Sequence, residues 1–581
     1  MCGIIGYKGK ENALPIVIHG LKNLEYRGYD SAGIAYFNNG KINIYKKEGK
    51  IVNLEEILPN DNSDLAIGHT RWATHGIANT VNAHPHKQGK ITLVHNGIIE
   101  NYRELKEMLE ENGYSFESDT DTEIVAGLID YYYNIENNMV KALNHLKLMV
   151  RGSYALGILV DGDDKLYATR LKSPLIVGVS DDGLYIASDV PAILDYTKKY
   201  FLLDDYDICV INGGYKVYNK NKLVNKEILE FNDSIGSAQK DGYEHYMLKE
   251  IHEQPKVVEN LISLILNTDT IKLSDYDLIQ IVGCGSAYHA GLVGKYIIEK
   301  ELNIKTECYI ASEYRYGKIF KTDKTLFIAI SQSGETADTL ASTIRAKDMG
   351  IHTLGIINTQ GSSIARECDD VLYINAGIEC AVATTKAYSL QALMFSLLVY
   401  KETNKKEIKE EYNNLPDELN KILDRDFHNT VKRIYRHEDI FFIGRQNDYA
   451  LCMEGSLKLK EISYLHSEAY AAGELKHGTI SLIEKGTPVI AIVTDSDIAE
   501  KTISNIKETK ARGAYVLMIA RDDLDINPDA YDDIIRIPNY SIYTNSLLVI
   551  EILQMVAYYV ALSRGCDIDK PRNLAKSVTV E

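Results

Sequence analysis

A cysteine at position 2, directly behind the initiator methionine, is the first residue of this chain with evident chemical potential. Removal of Met1 would leave Cys2 with both a thiol and a free α-amine. An α-amine has an ordinary pKa of about 8, so it can take the thiol proton near neutrality and activate the sulfur as a nucleophile. The alternative is a buried packing cysteine. Far downstream, Ser331-Gln332-Ser333-Gly334-Glu335-Thr336 follows an apolar run and precedes a helical pattern. Amides at a helix N-terminus, supplemented by three hydroxyls, attract an anion, although Ser333 to Thr336 also fits a capping box that merely starts the helix. A similar turn occurs at Gly283-Cys284-Gly285-Ser286.

Other polar groups have two readings each. Glu454, Lys458 and Glu461 fall on one face of a helical pattern, where i,i+4 ion pairing on a solvated surface suffices to explain them. Asn96-Gly97 is a common turn pair, and Asp121 fits the N-cap of a helix from Thr122. His69, His75, His84, His86 and His95 crowd into a short span, and imidazole is a common metal ligand. No cysteine or carboxylate pattern completes a coordination set, so no metal site is expected. The eight cysteines form no C-x-x-C pair, which argues against a zinc ribbon or a disulfide framework.

These residues need scaffolds, and the chain supplies two kinds. At 581 residues it exceeds what one core organises, and its 45% hydrophobic and 25% charged composition is that of ordinary globular proteins. Up to position 231, short β-rich runs mix with a few helices. Gly33 to Phe37 and Lys41 to Tyr45 flank Asn38-Asn39-Gly40 as a hairpin, Tyr102 to Asn112 has helical spacing, and Tyr154 to Val160 and Leu184 to Ala187 have strand character. The small, polar stretch 232–242 reads as a linker. Beyond it, apolar strands at Leu278 to Val282, Thr325 to Ile330 and His352 to Ile357 alternate with helices. The rhythm recurs at Ile440 to Ile443, Pro488 to Val493 and Ala514 to Ile519, which predicts two doubly wound α/β halves with parallel sheets, 243–430 and 431–566. The tail 567–581 lacks periodicity.

A formal net charge of -18 disfavours nucleic-acid binding. No apolar run is read as membrane-spanning and no export signal is evident, so a cytoplasmic location without membrane association is the default expectation.

Four blocks resemble the N-terminal-nucleophile glutamine amidotransferases: Cys2-Gly3-Ile4, Arg27-Gly28-Tyr29-Asp30-Ser31, His69-Thr70-Arg71-Trp72-Ala73-Thr74-His75-Gly76 and His95-Asn96-Gly97. The resemblance implies an α+β sandwich of αββα type with Cys2 as nucleophile. It makes Asn96 and Gly97 the oxyanion hole, Arg71 the clamp on the glutamine α-carboxylate and Asp121 the partner of its α-ammonium. Trp72, Thr74 and His75 would line that pocket.

The turns at Ser286 and Ser331, with Val382-Ala383-Thr384-Thr385-Lys386, resemble the sugar isomerase (SIS) domain family, whose doubly wound sheets bind phosphosugars. It implies sugar-phosphate contacts from Ser286, Ser331, Gln332, Ser333, Thr336, Val382, Ala383, Thr384 and Lys458. Ala287 departs from the serine of many relatives, which puts one hydroxyl contact in question. With the blocks Glu454 to Glu461, Glu468 to Gly478 and Lys570 to Glu581, the whole chain is similar to the glucosamine-6-phosphate synthase family. That similarity implies L-glutamine and D-fructose 6-phosphate as substrates, with no metal or organic cofactor. It assigns ring opening to His477, a Schiff base to Lys576 and proton transfer between C1 and C2 to Glu461. It also implies a homodimer, in which His477 reaches the neighbouring subunit's site.

Overall fold

The computed structural model describes residues 2–72, 76–231 and 240–579. The chain divides into two compact units, Met1–Ala238 with Ala575–Glu581, and Gln239–Leu574. Most of the expected linker lies outside the described residues.

The first unit is built on two antiparallel sheets. One runs in the order Leu229–Glu230, Lys199–Leu202, Ile176–Val179, Gly183–Ala187, Gly3–Gly9, Leu65–Arg71, Ser31–Asn38, Lys41–Glu48. The other runs Lys222–Val224, Tyr215–Asn219, Ile208–Ile211, Asp163–Leu171, Gly152–Val160, Ile91–Ile99, His86–Gln88. Strand alternation sorts the side chains. Ile4 and Ile67 of the first sheet meet Val94, Ala155 and Ala168 of the second in one core between the sheets. Ile91 and Leu93 point the other way, into a core with Ile124 and Leu128 of the helix Asp121–Glu136 and with Leu143 of the helix Met139–Met149. On the outer face of the first sheet, the helix Ala13–Leu24 brings Gly20 against Ile5, where a Cβ would lie 2.0 Å from the Ile5 side chain. This is the expected αββα sandwich.

The second unit holds two five-stranded parallel sheets. The first runs Lys305–Ile310, Leu278–Gly283, Thr325–Ser331, His352–Ile357, Asp370–Tyr373, and the second His466–Ala471, Asp439–Gly444, Pro488–Val493, Tyr515–Arg521, Asp533–Ile537. Both have chain order 2-1-3-4-5, so in each half the first and third strands diverge at a topological switch point, where open α/β sheets bind ligands. The helices Lys386–Thr403 and Asn545–Ser563 are apolar almost all round and share a single core with strand residues of both halves.

One expectation needs correcting here. Asn545–Ser563 is, by length and composition, apolar enough to cross a membrane, with a mean hydropathy of 1.7. In the structure 83% of that window is buried, so its hydropathy is that of a core helix.

Candidate active sites

Cys2 immediately precedes the strand Gly3–Gly9, which runs between Gly183–Ala187 and Leu65–Arg71. Pairing of Gly3 with Thr70 brings the thiol to Trp72, whose backbone N–H donates to Cys2 Sγ at 3.2 Å. Burial pushes the thiol pKa up, opposed by the Trp72 N–H and by the nearby Arg71 charge. A thiol in this setting needs a base to ionise it.

The second sheet supplies the facing groups. Asn96 and Gly97 lie inside the strand Ile91–Ile99, paired with Ala155 and Tyr154, so the turn reading fails. Alternation points His95 to the helix side, where its Nδ1 lies 3.0 Å from Thr122 Oγ1. Asn96 points to the opposite side and donates from Nδ2 to the Cys2 carbonyl at 2.9 Å. Its own oxygen lies 3.1 Å from His69 Nε2, which fixes the amide with its nitrogen towards Cys2. Burial lowers the pKa of His69 to about 3 and that of His84 and His86 well below the ordinary value, so all three are neutral packing groups at neutral pH.

Gly97 has φ 141°, and a Cβ there would lie 2.1 Å from the Ser153 carbonyl oxygen. Gly97→Ala is therefore expected to cost about 1–3 kcal/mol of stability, to be read as a lowered Tm. It is also expected to depress glutamine hydrolysis more than sugar isomerisation.

Asp121 is not the N-cap. Thr120 caps the helix, accepting the Glu123 N–H, while Asp121 occupies its first turn and accepts the Ile99 N–H at 2.8 Å. Cys2, Arg71, Trp72, Gly97 and Asp121 line one small pocket. Arg71 reaches the carbonyls of Gly76 and Ile77 at 3.3 Å each, and Trp72 stands edge-on to Tyr29 at 6.0 Å. The predicted pocket residues Thr74 and His75 lie outside the described residues.

In the second unit, the first switch point holds both expected turns. Gly285, at φ 54°, turns the chain from Leu278–Gly283 into the helix Ser286–Leu302. The neighbouring strand Thr325–Ser331 runs into the Ser331 to Thr336 turn and the helix Ala337–Asp348. The capping-box reading fails, because Thr336 is the N-cap and makes no side-chain capping bond. The Ser331 hydroxyl instead accepts the Gly334 N–H at 2.9 Å, and Ser333 accepts that of Glu335 at 3.2 Å. The Gln332 carbonyl accepts from Asn358 and Thr359, so the turn is fixed from its far side.

The segment Val382, Ala383 and Thr384 is tied by carboxylates. Glu379 accepts from the Thr384 hydroxyl at 2.8 Å and from the Thr385 N–H at 2.9 Å, while Val382 N–H donates to the Asp569 carbonyl at 3.0 Å.

The solvated-helix reading of Glu454, Lys458 and Glu461 is wrong. On the helix Asn447–Ser463, Glu454 and Lys458 are buried. The Lys458 ammonium lies 2.5 Å from Glu461 and 3.5 Å from Glu454. Ser286 donates to one Glu454 oxygen at 2.8 Å, and His289 Nδ1 lies 2.8 Å from the other. Sequence reasoning missed His289 and Glu379. The only signal for His289 was its position three residues after Ser286, on the same helical face.

The second half is built differently at its own switch point. Asp448 is buried and accepts the Thr494 N–H at 2.8 Å as well as its hydroxyl, so a carboxylate of the chain already occupies the amide. Asp495 and Asp497 follow directly, which opposes a phosphate there.

The other two predicted catalytic residues lie outside the helix Asn447–Ser463. His477 is exposed in the turn after His466–Ala471 and makes no hydrogen bond to the Glu454 cluster. Lys576 falls with the first unit, in a stretch without helix or strand.

Residues 69–195 match the family model of the glutamine amidotransferase domain, and residues 272–401 and 433–564 each match that of the SIS domain. The chain is thus a glutamine amidotransferase domain followed by a pair of SIS domains. It is 48% identical to the glutamine–fructose-6-phosphate aminotransferase (isomerizing) of Clostridium acetobutylicum and 43% identical to that of Methanosarcina mazei, with both chains fully covered in each case. The solved C-terminal domain of glucosamine-fructose-6-phosphate aminotransferase from Francisella tularensis is 35% identical, with a TM-score of 0.54, covering 57% of this chain and 99% of that one. The chain belongs to the glutamine–fructose-6-phosphate aminotransferase family.

Proposed function

We propose that this enzyme moves the amide nitrogen of L-glutamine to D-fructose 6-phosphate and isomerises the product to D-glucosamine 6-phosphate, releasing glutamate. The observation that carries this reading is the coexistence of two sites in a chain that matches its relatives from end to end. One is a thiol pocket with an arginine and a carboxylate at hand. The other is a pair of SIS domains with a buried ammonium between two carboxylates.

Once Met1 is removed, the Cys2 α-amine takes the thiol proton and the sulfur attacks the side-chain carbonyl of glutamine. Asn96 Nδ2 and the Gly97 N–H stabilise the oxyanion, while Arg71 exchanges its weak carbonyl contacts for a bidentate grip on the α-carboxylate. Asp121 receives the α-ammonium, with Trp72, Thr74 and His75 around it. Collapse breaks the C–N bond and releases ammonia, and water then hydrolyses the thioester to glutamate.

In the SIS pair, Ser331, Gln332, Ser333 and Thr336 hold the phosphate with Ser286, Val382, Ala383, Thr384 and Lys458 around the sugar. His477 of a neighbouring subunit opens the ring, and Lys576 condenses with the C2 ketone, losing water. Ammonia displaces the lysine amine, and Glu461 carries the proton from C1 to C2. The enzyme acts as a homodimer in the cytoplasm. Incubation with glutamine and fructose 6-phosphate tests the reading: equal amounts of glutamate and glucosamine 6-phosphate are expected. Glutamine hydrolysis with no amino sugar formed would refute it, and a monomer with full synthase activity would refute the shared His477.

A further inference from the structure

Lys458 is one ammonium between two carboxylates, and its division between them is unequal: 2.5 Å to Glu461, 3.5 Å to Glu454. The asymmetry has a visible source. Glu454 is fully buried, yet both of its oxygens are engaged from the helix Ser286–Leu302, one by the Ser286 hydroxyl and one by His289 Nδ1, each at 2.8 Å. An ionised carboxylate only accepts, so His289 Nδ1 is the donor of this hydrogen bond.

We propose that His289 is a positioning residue for the proton transfer at carbon: by satisfying Glu454 it leaves the Lys458 ammonium to Glu461 and keeps Glu461 ionised as the base. The inference rests on the reaction proposed above.

Glu461 is faced by Lys458, Glu454 and His289, and Lys458 also by Glu379 from the segment before the helix Lys386–Thr403. Tyr388 on that helix faces Glu454, and burial keeps its phenol protonated. Burial works to raise both carboxyls. At Glu454 the opposing Lys458, His289 and Ser286 outweigh it and hold the carboxyl below its ordinary range, whereas at Glu461 burial prevails over Lys458. Glu461 therefore depends on its share of Lys458. Without the His289 N–H, Glu454 keeps one short hydrogen bond, from the Ser286 hydroxyl, draws the ammonium 3.5 Å away toward itself, and leaves Glu461 to take up a proton at higher pH.

The test is glucosamine 6-phosphate formation as a function of pH in the full-length enzyme and in His289→Leu, His289→Gln and His289→Asn. For His289→Leu we expect kcat to fall about 10- to 100-fold, and the acidic limb of its pH profile to move up by about one unit. KM for fructose 6-phosphate and glutamine hydrolysis should stay near wild type. Asparagine places its amide nitrogen where Nδ1 was and should restore the profile, whereas glutamine, whose nitrogen falls near the Nε2 position, should behave like leucine. Should leucine prevent folding, the contrast of asparagine with glutamine, at matched Tm, decides. An unshifted acidic limb in His289→Leu or His289→Gln would overturn the proposal, as would asparagine and glutamine variants that both match wild type. A wild-type enzyme that forms no amino sugar would instead overturn the underlying reaction, so the two failures are told apart.

Discussion

Replacing Cys2 with alanine is expected to abolish glutamine hydrolysis, by about 10⁴-fold or more, while fructose 6-phosphate isomerisation continues at the wild-type rate. The expectation follows from what the thiol touches. Its hydrogen bonds are with the Trp72 N–H and carbonyl, and Cys2 belongs to neither hydrophobic core of the first unit. The Asn96 amide bonds to the Cys2 carbonyl rather than to the sulfur, so the donors proposed for the oxyanion survive the substitution. Burial pushes the thiol pKa up, and activation therefore depends on an adjacent base. A chain that retains Met1, in which the Cys2 nitrogen is a peptide amide, should fail in the same way. The check is glutamate release beside phosphosugar isomerisation, with Tm recorded for each variant. Simultaneous loss of both activities in a folded Cys2→Ala protein would contradict the separation of the two sites.

The second large effect is expected at Glu461. Glu461→Gln preserves shape and removes the carboxylate proposed to accept the C1 proton, so synthesis of glucosamine 6-phosphate should fall by about 10²- to 10⁴-fold. The variant leaves Lys458 with Glu454, so the helix Asn447–Ser463 keeps a paired interior charge and the protein should remain folded. Glutamine hydrolysis should be unaffected in the absence of sugar. Amino sugar formed at a rate within a few-fold of wild type would remove Glu461 from the proton path.

Much of the scaffold was legible in the sequence because parallel, doubly covered strands are written as short apolar runs. Leu278–Gly283, Thr325–Ser331 and Pro488–Val493 each extend to within a residue of the run that announced them. Local polar patterns were less reliable. Asn96-Gly97 has the composition of a turn, yet the Asn96 amide spans the space between the sheets to Cys2, and Gly97 is required by close approach to Ser153. Ser333 to Thr336 has the spacing of a capping box, but the Ser331 hydroxyl captures the Gly334 amide first.

Spacing along one helix placed Glu454, Lys458 and Glu461 on a common face and was silent on what opposes it. The answer comes from Ser286 and His289, over 160 residues earlier in the chain. The apolar helix Asn545–Ser563 illustrates the same gap, since hydropathy cannot distinguish lipid from a core shared by two sheets. The matching roles of the two halves were also hidden. Only the fold shows that Asp448 accepts the Thr494 amide at the switch point of the second half.

The most direct test of the whole account is to supply glutamine labelled with ¹⁵N at the amide, together with fructose 6-phosphate, in a large excess of unlabelled ammonium. If nitrogen freed at Cys2 passes within the protein to the sugar, the glucosamine 6-phosphate carries the label despite the excess. Product containing chiefly unlabelled nitrogen would contradict it.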